Sequence, residues 1–314
     1  MKRIISIALT AALFLLVSSC GERVGYRENV FLSMDTVVSV RIDPETPDIE
    51  NVLGGCRDLT ESIRRLFDAD DPESCLSGFN NGGEAVPELA ALLDVCATVS
   101  AASGGAFNPA VRSDIECWRE AEKTGVLPVM RQEERPVYLS DMRGVDLGGI
   151  AKGYAAEKVV SYLTEKGASY GILSFGGNIA VFGDKPDGGG YRIAIRDPDN
   201  PDGTVGTVRL SEGFVSVSGD YERYYVVEGE KYHHIIDPGT GYPAGSGLRS
   251  VAVITDAYEG SGALADALST ALFVMGYGEG MRLYASGLYD FEAVFISDGD
   301  ILITPGLSES FISN

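Results

Sequence analysis

The stretch Gly144–Lys158, reading Gly-Val-Asp-Leu-Gly-Gly-Ile-Ala-Lys-Gly-Tyr-Ala-Ala-Glu-Lys, decides how the rest of this chain is read. Before it, Val137 to Met142 alternate apolar and polar residues and predict a short strand, and a helix is expected from about Ala151. Gly148, Gly149 and Gly153 at such a strand-to-helix turn let backbone amides approach a phosphate, and a helix N-terminus favours negative charge. Asp146 and Lys152 add a carboxylate and a cation to the same turn. A tight turn with close helix packing would use the same glycines. The choice between these readings therefore rests on the polar stretches elsewhere in the chain.

Working outward on the N-terminal side, Val30 to Ile42 is strand-like with Met34-Asp35-Thr36 in its middle. Thr46-Pro47 predicts a helix start, with Thr46 as N-cap and Pro47 at the first helical position. Ile49, Val52, Leu53, Cys56, Leu59, Ile63, Leu66 and Phe67 then recur at helical spacing. Asp70 to Gly83 reads as a loop, Pro87 opens a second helix, and Phe107-Asn108-Pro109 reads as a turn. Trp118, the only tryptophan, is expected on a short helix as core. On the C-terminal side, Tyr170 to Thr255 is a succession of short strands broken by Gly176-Gly177-Asn178, Asp197-Pro198-Asp199 and Asp237-Pro238-Gly239. A helix is expected over about Gly262–Met275, another from Glu279, then closing strands. This mixture predicts an α+β fold of mixed, largely antiparallel sheets with flanking helices in two interleaved subdomains.

The first twenty residues stand outside that fold: Lys2 and Arg3 precede an apolar run, Ile4 to Val17, too short to span a bilayer. The run ends Val17-Ser18-Ser19-Cys20, which resembles the bacterial lipobox and predicts a lipid on Cys20. The expected organisation is a lipoprotein signal peptide at 1–20, a tether at 21–29 and one domain over 30–314, lipid-anchored in the cell envelope on the periplasmic side. Losing Lys2 and Arg3 moves the formal charge from −21 to −23, which argues against nucleic-acid binding and sets a repulsion that any phosphate ligand must overcome. Cys56, Cys75, Cys96 and Cys117 have no metal-ligand spacing; disulfides are possible in an envelope protein, and the sequence leaves their pairing open.

Three further stretches carry chemistry. Ser216-Val217-Ser218-Gly219-Asp220 is followed by Tyr221, Arg223 and Tyr224. His233 and His234, the only two histidines, precede Ile235-Ile236-Asp237-Pro238-Gly239; on a strand they would point to opposite faces, and one would be free to act as a proton acceptor. Asp266 and Thr270 are one helical turn apart in Ala265-Asp266-Ala267-Leu268-Ser269-Thr270-Ala271, a carboxylate and a hydroxyl suited as oxygen ligands to Mg²⁺.

In this order, Met34-Asp35-Thr36, Leu76-Ser77 with Asn80, Phe107-Asn108-Pro109, Val145–Tyr154, Gly176-Gly177-Asn178, Ser218-Gly219, His234–Gly241 and Ala265–Leu272 resemble the ApbE family of FAD:protein FMN transferases. The resemblance implies a T-fold-like α+β domain that transfers FMN from FAD to a Thr or Ser hydroxyl of an acceptor protein, releasing AMP with Mg²⁺ as cofactor. It places the metal on Asp266, Thr270 and the carbonyl of Gly149, FAD against Met34, Phe107, Asn108, Asp146 and Lys152, and acceptor activation on His234. Asn108 stands where many relatives have aspartate, Asp35 where glycine is usual, and Gly239 where a basic residue is frequent. The family's acceptor motif resembles Ser/Thr-Gly-Ala-Ser/Thr; the nearest string here, Ser261-Gly262-Ala263-Leu264, lacks the final hydroxyl residue, so the acceptor is expected in trans as a membrane redox subunit. An FAD pyrophosphatase yielding FMN and AMP, and a non-catalytic flavin-binding lipoprotein, are the competing readings.

Overall fold

The computed structural model describes residues 25–130 and 143–314; the leader, Cys20 and the strand expected over 137–142 lie outside the described residues. The strand expected over 30–42 is a hairpin, β1 (Arg27–Ser33) and β2 (Thr36–Ile42), turned by Met34 and Asp35 in the left-handed region at φ 50° and 56°. The following helix, α1 (Ile49–Phe67), starts later than Thr46-Pro47 predicts. The Thr46 hydroxyl donates instead to the Asp43 carbonyl at 2.7 Å, closing a buried turn, and Asp48 takes the cap position. The expected loop after it contains a short helix, α2 (Cys75–Asn80), whose first turn is capped by Ser74 accepting from the Ser77 amide at 2.9 Å. Pro87 opens α3 (Pro87–Ala102), and α4 (Arg112–Thr124) and α5 (Ala151–Glu165) follow.

From there the chain runs β3 (Gly171–Phe175), β4 (Asn178–Phe182), β5 (Tyr191–Arg196), β6 (Thr204–Leu210), β7 (Gly213–Gly219), β8 (Tyr224–Val227), β9 (Glu230–His233) and β10 (Leu248–Thr255). A long helix, α6 (Ser261–Ala285), precedes β11 (Glu292–Ser297), β12 (Ile301–Ile303) and β13 (Phe311–Ser313). The two helices expected after residue 262 lie within α6, which is interrupted at Gly276 (φ 75°, ψ 173°). The main sheet has the order β1-β2-β3-β4-β7-β10-β11-β12, antiparallel throughout; a second has the order β13-β6-β5, and β8-β9 form a separate hairpin. The chain leaves the main sheet after β4, builds β5 and β6, and returns at β7, so the two sheets are interleaved in sequence.

This layering explains the apolar run of β10. Val251 and Val253 face the core shared with the helices, while Ala252 and Ile254 pack with Ile193, Ile195 and Val208 of the smaller sheet. A strand covered on both faces loses polar alternation. Helix α6 is likewise apolar around its first four turns, because it lies against β7, β10, α3 and α5. Its approach to α5 requires glycine: a Cβ on Gly153 would sit 2.1 Å from the Gly262 carbonyl oxygen. Gly153→Ala is therefore expected to cost roughly 2 kcal/mol, within the usual range for overpacking, read as a lower denaturation midpoint. An unchanged midpoint would contradict the close α5–α6 packing. Cys56, Cys75, Cys96 and Cys117 are all free thiols, Cys56 and Cys96 being buried. Among the described residues no helix is long and apolar enough to cross a membrane.

Candidate active site

The glycine stretch is fastened from two sides. The Asn80 side-chain amide brackets Val145, donating to its carbonyl at 2.9 Å and accepting from its amide at 2.7 Å. The Phe107–Val111 turn is stitched alongside, Asp146 N–H donating to the Pro109 carbonyl at 2.8 Å and Arg112 N–H to the Gly144 carbonyl at 3.0 Å. Asp146 then closes the turn into α5 by accepting from the Gly148 amide at 2.9 Å. The N-terminus of α5, the positive end of its dipole, thereby opens on a cleft of about 410 Å³.

The far wall comes from α6, β4 and β7. Asp266 is buried and accepts from the Gly153 amide at 2.9 Å and the Asn178 side chain at 3.2 Å. Asn178 in turn accepts from the Ser216 hydroxyl. Ser218 and Ser269 share a hydrogen bond at 2.9 Å, and Ser218 lies 3.4 Å from the Thr270 hydroxyl. Lys152 reaches over from α5, donating to the Gly148 carbonyl at 2.8 Å with its Nζ 3.8 Å from the Asp266 carboxylate.

The two histidines diverge. His233 ends β9 and turns inward, its Nε2 3.0 Å from the Ala244 carbonyl and its ring edge-on to Phe273. His234 faces the cleft with Nδ1 3.1 Å from the Arg223 carbonyl. A carbonyl only accepts, so Nδ1 carries the proton and Nε2 is left with a lone pair. Burial chiefly, with Arg223, Lys152 and His233 nearby, pushes the His234 pKa down to about 4, so the ring is neutral at pH 7. Trp118 anchors the turn beyond, stacked on Tyr225, tilted against Tyr232 and donating from its indole N–H to the Gly241 carbonyl at 2.9 Å.

Eight of the nine residues singled out in the sequence therefore line one cleft: Phe107, Asn108, Asp146, Gly149, Lys152, His234, Asp266 and Thr270. Met34 does not line it; it is partly buried against the main core at the β1–β2 turn. Its neighbour Asp35 touches the rim, accepting from Arg223 at 3.4 Å through its carbonyl. Sequence reading passed over Glu222, a cleft-lining carboxylate, and gave Asn178 no role in holding Asp266. Their only signals were the turn after Gly176-Gly177 and a place beside Arg223. Solvent reaches Glu222 through the cleft, yet the protein around it raises its carboxyl pKa, against the pull of Lys152, Arg223 and Arg196.

Among the described residues no cluster of three His, Cys, Asp or Glu side chains exists to hold a metal. The donors present are the Asp266 carboxylate, the Thr270 hydroxyl and the backbone of Gly149, where a Cβ would lie 3.1 Å from Thr270 Oγ1. Hard oxygens in so small a number fit Mg²⁺, which keeps several waters and shares substrate phosphates.

The chain matches the profile of the ApbE family over residues 34–295. It belongs to the ApbE family. An ApbE relative from Treponema pallidum (strain Nichols), an FAD:protein FMN transferase, is 31% identical over 306 residues, covering 83% of this chain and 82% of its own. The ApbE protein of Thermotoga maritima superposes with a TM-score of 0.75 at 27% identity, covering 90% of this chain and 98% of that one. The flavin transferase ApbE of Vibrio cholerae shares the fold, with a TM-score of 0.73 at 22% identity over 91% of this chain and 99% of its own.

Proposed function

We propose that this cleft transfers FMN from FAD to a Ser or Thr hydroxyl of a second protein, forming a phosphoester and releasing AMP in a Mg²⁺-dependent reaction. The observation that carries the reading is the convergence on one cleft of a neutral histidine, a cation and an all-oxygen donor set, drawn from α5, α6 and the β9–β10 connection. Asp266, Thr270 and the Gly149 carbonyl would hold Mg²⁺, which when bound supplies positive charge to the pyrophosphate and to the leaving phosphate. Lys152 and the positive dipole end of α5 attract phosphate oxygens, offsetting the repulsion from a strongly acidic protein. His234 Nε2 takes the proton of the acceptor hydroxyl as its oxygen bonds to the FMN phosphorus. The bond from that phosphorus to the bridging oxygen breaks, and AMP leaves with that oxygen and the electron pair.

The acceptor acts in trans. Ser261-Gly262-Ala263-Leu264 forms the buried first turn of α6, so its serine is closed to modification. The same reading puts the enzyme on the periplasmic side of a bacterial membrane through a lipid on Cys20, facing a membrane redox subunit. The deciding experiment incubates the protein with FAD, Mg²⁺ and candidate acceptors from the same genome, followed by intact-mass analysis. The expected result is an acceptor heavier by one FMN phosphoester and an equal amount of AMP. Free FMN and AMP without an adduct would replace the transferase by a pyrophosphatase.

A further inference from the structure

We propose that Glu222 is a polyol-binding carboxylate, accepting hydrogen bonds from neighbouring hydroxyls of the nucleotide held in the cleft. The inference rests on the flavin-transfer reading and adds to it a residue and the part of the ligand it recognises. Glu222 sits between β7 and β8 and lines the cleft together with three other acids, Glu122, Asp146 and Asp266. Each of those three is engaged. Glu122 accepts from the Val226 amide at 3.3 Å, Asp146 from the Gly148 amide at 2.9 Å, and Asp266 from the Gly153 amide and Asn178. Among the described residues no hydrogen bond reaches the Glu222 carboxylate.

The recess that holds this carboxylate is made by a glycine. A Cβ on Gly177 would lie 3.0 Å from Glu222 Oε1 and 2.7 Å from the Val217 carbonyl oxygen, so any side chain there would displace the carboxylate. The charged groups around Glu222 are Lys152, Arg223, Arg196 and Asp266. Lys152 and Asp266 mark the phosphate end of the cleft. A carboxylate repels phosphate, so what Glu222 takes from the ligand is a hydrogen-bond donor lying next to the phosphate.

FAD offers such donors on both sides of its pyrophosphate: the ribityl hydroxyls on the FMN side and the ribose hydroxyls on the AMP side. Its imide and exocyclic amine lie at the far ends of the molecule. An acidic side chain that grips a sugar diol beside a pyrophosphate is a recurrent solution in nucleotide sites, and charge-assisted hydrogen bonds make it effective.

The test measures FMN and AMP binding separately, each with Mg²⁺ present, by titration calorimetry on wild type, Glu222→Ala and Glu222→Gln, with a thermal melt for each variant. In Glu222→Ala one of the two ligands is expected to bind at least tenfold more weakly while the other stays near wild type. Glu222→Gln, which keeps an acceptor oxygen without the charge, is expected to fall between. Loss confined to FMN assigns the ribityl chain, and loss confined to AMP assigns the ribose. If both ligands bind the correctly melting alanine variant within twofold of wild type, Glu222 holds no ligand and the inference is overturned. Wild-type protein that binds neither ligand would remove the flavin-transfer reading itself.

Discussion

Replacing Asp266 by asparagine is expected to reduce AMP release from FAD by on the order of 10³-fold and to make the remainder insensitive to Mg²⁺. The magnitude follows from the several kcal/mol that a bound divalent ion contributes to a phosphoryl-transfer barrier, at about 1.4 kcal/mol per tenfold in rate. Asparagine is chosen because the carboxylate also accepts from the Gly153 amide and from Asn178. Alanine would leave both donors unsatisfied, at about 1–3 kcal/mol each, and would confuse lost metal with a weakened α5–α6 contact. The asparagine oxygen still serves one donor. The check is paired: turnover against Mg²⁺ concentration, and the Mg²⁺-induced rise in melting temperature without substrate, which should vanish in the variant. Mg²⁺-dependent turnover at the wild-type rate would remove the metal assignment.

His234→Ala is expected to lower FMN transfer by about 10²–10⁴-fold, the usual share of a positioned general base, while leaving FAD affinity within a few-fold. The pH dependence supplies a second, independent reading. The protonated ring cannot take a proton, so kcat/KM should fall on the acid side as pH drops through the pKa of the free enzyme. Because burial and nearby cations bring that pKa down to about 4, activity should hold steady between pH 7 and 5, well below where an ordinary histidine of pKa 6.5 would charge. The same shift has a stability consequence with a definite sign. The unfolded chain binds the proton first, so the folded state loses stability as pH falls from the unfolded value toward 4. An acid limb centred at 6.5 or above would show that His234 is not enclosed as the structure has it, or is not the base.

Local patterning made much of this protein readable in its sequence. The helix after Ala151, the Pro87 start of α3 and the helical spacing of Asp266 and Thr270 follow from short-range rules, and the structure keeps each. The Thr46-Pro47 start failed because a buried contact to the Asp43 carbonyl claimed the threonine that would otherwise cap the helix. The continuous strand over 30–42 failed because Met34 and Asp35 accept left-handed backbone conformations that no local pattern signalled. The glycine stretch offered a phosphate cradle or a packing turn; Gly153 lets α5 lie against α6, as packing requires, while Gly148 and Gly149 open on the cleft.

The sequence by itself determined the ingredients: which residue types were present, in what order, and therefore the family and the class of chemistry. Only the tertiary structure decided which of them meet. Asp266 and Gly153 are far apart in the chain, yet an amide of one helix holds the carboxylate of the other. His233 and His234 are adjacent, yet one packs on Phe273 and the other faces the cleft. Glu222 and Gly177 are distant in the chain, yet the missing side chain of one leaves room for the carboxylate of the other. The physical reason is common to all three. Helix and turn signals act over a few residues and are written locally, whereas a site depends on which faces are buried together, and that is fixed by the packing of elements distant in sequence.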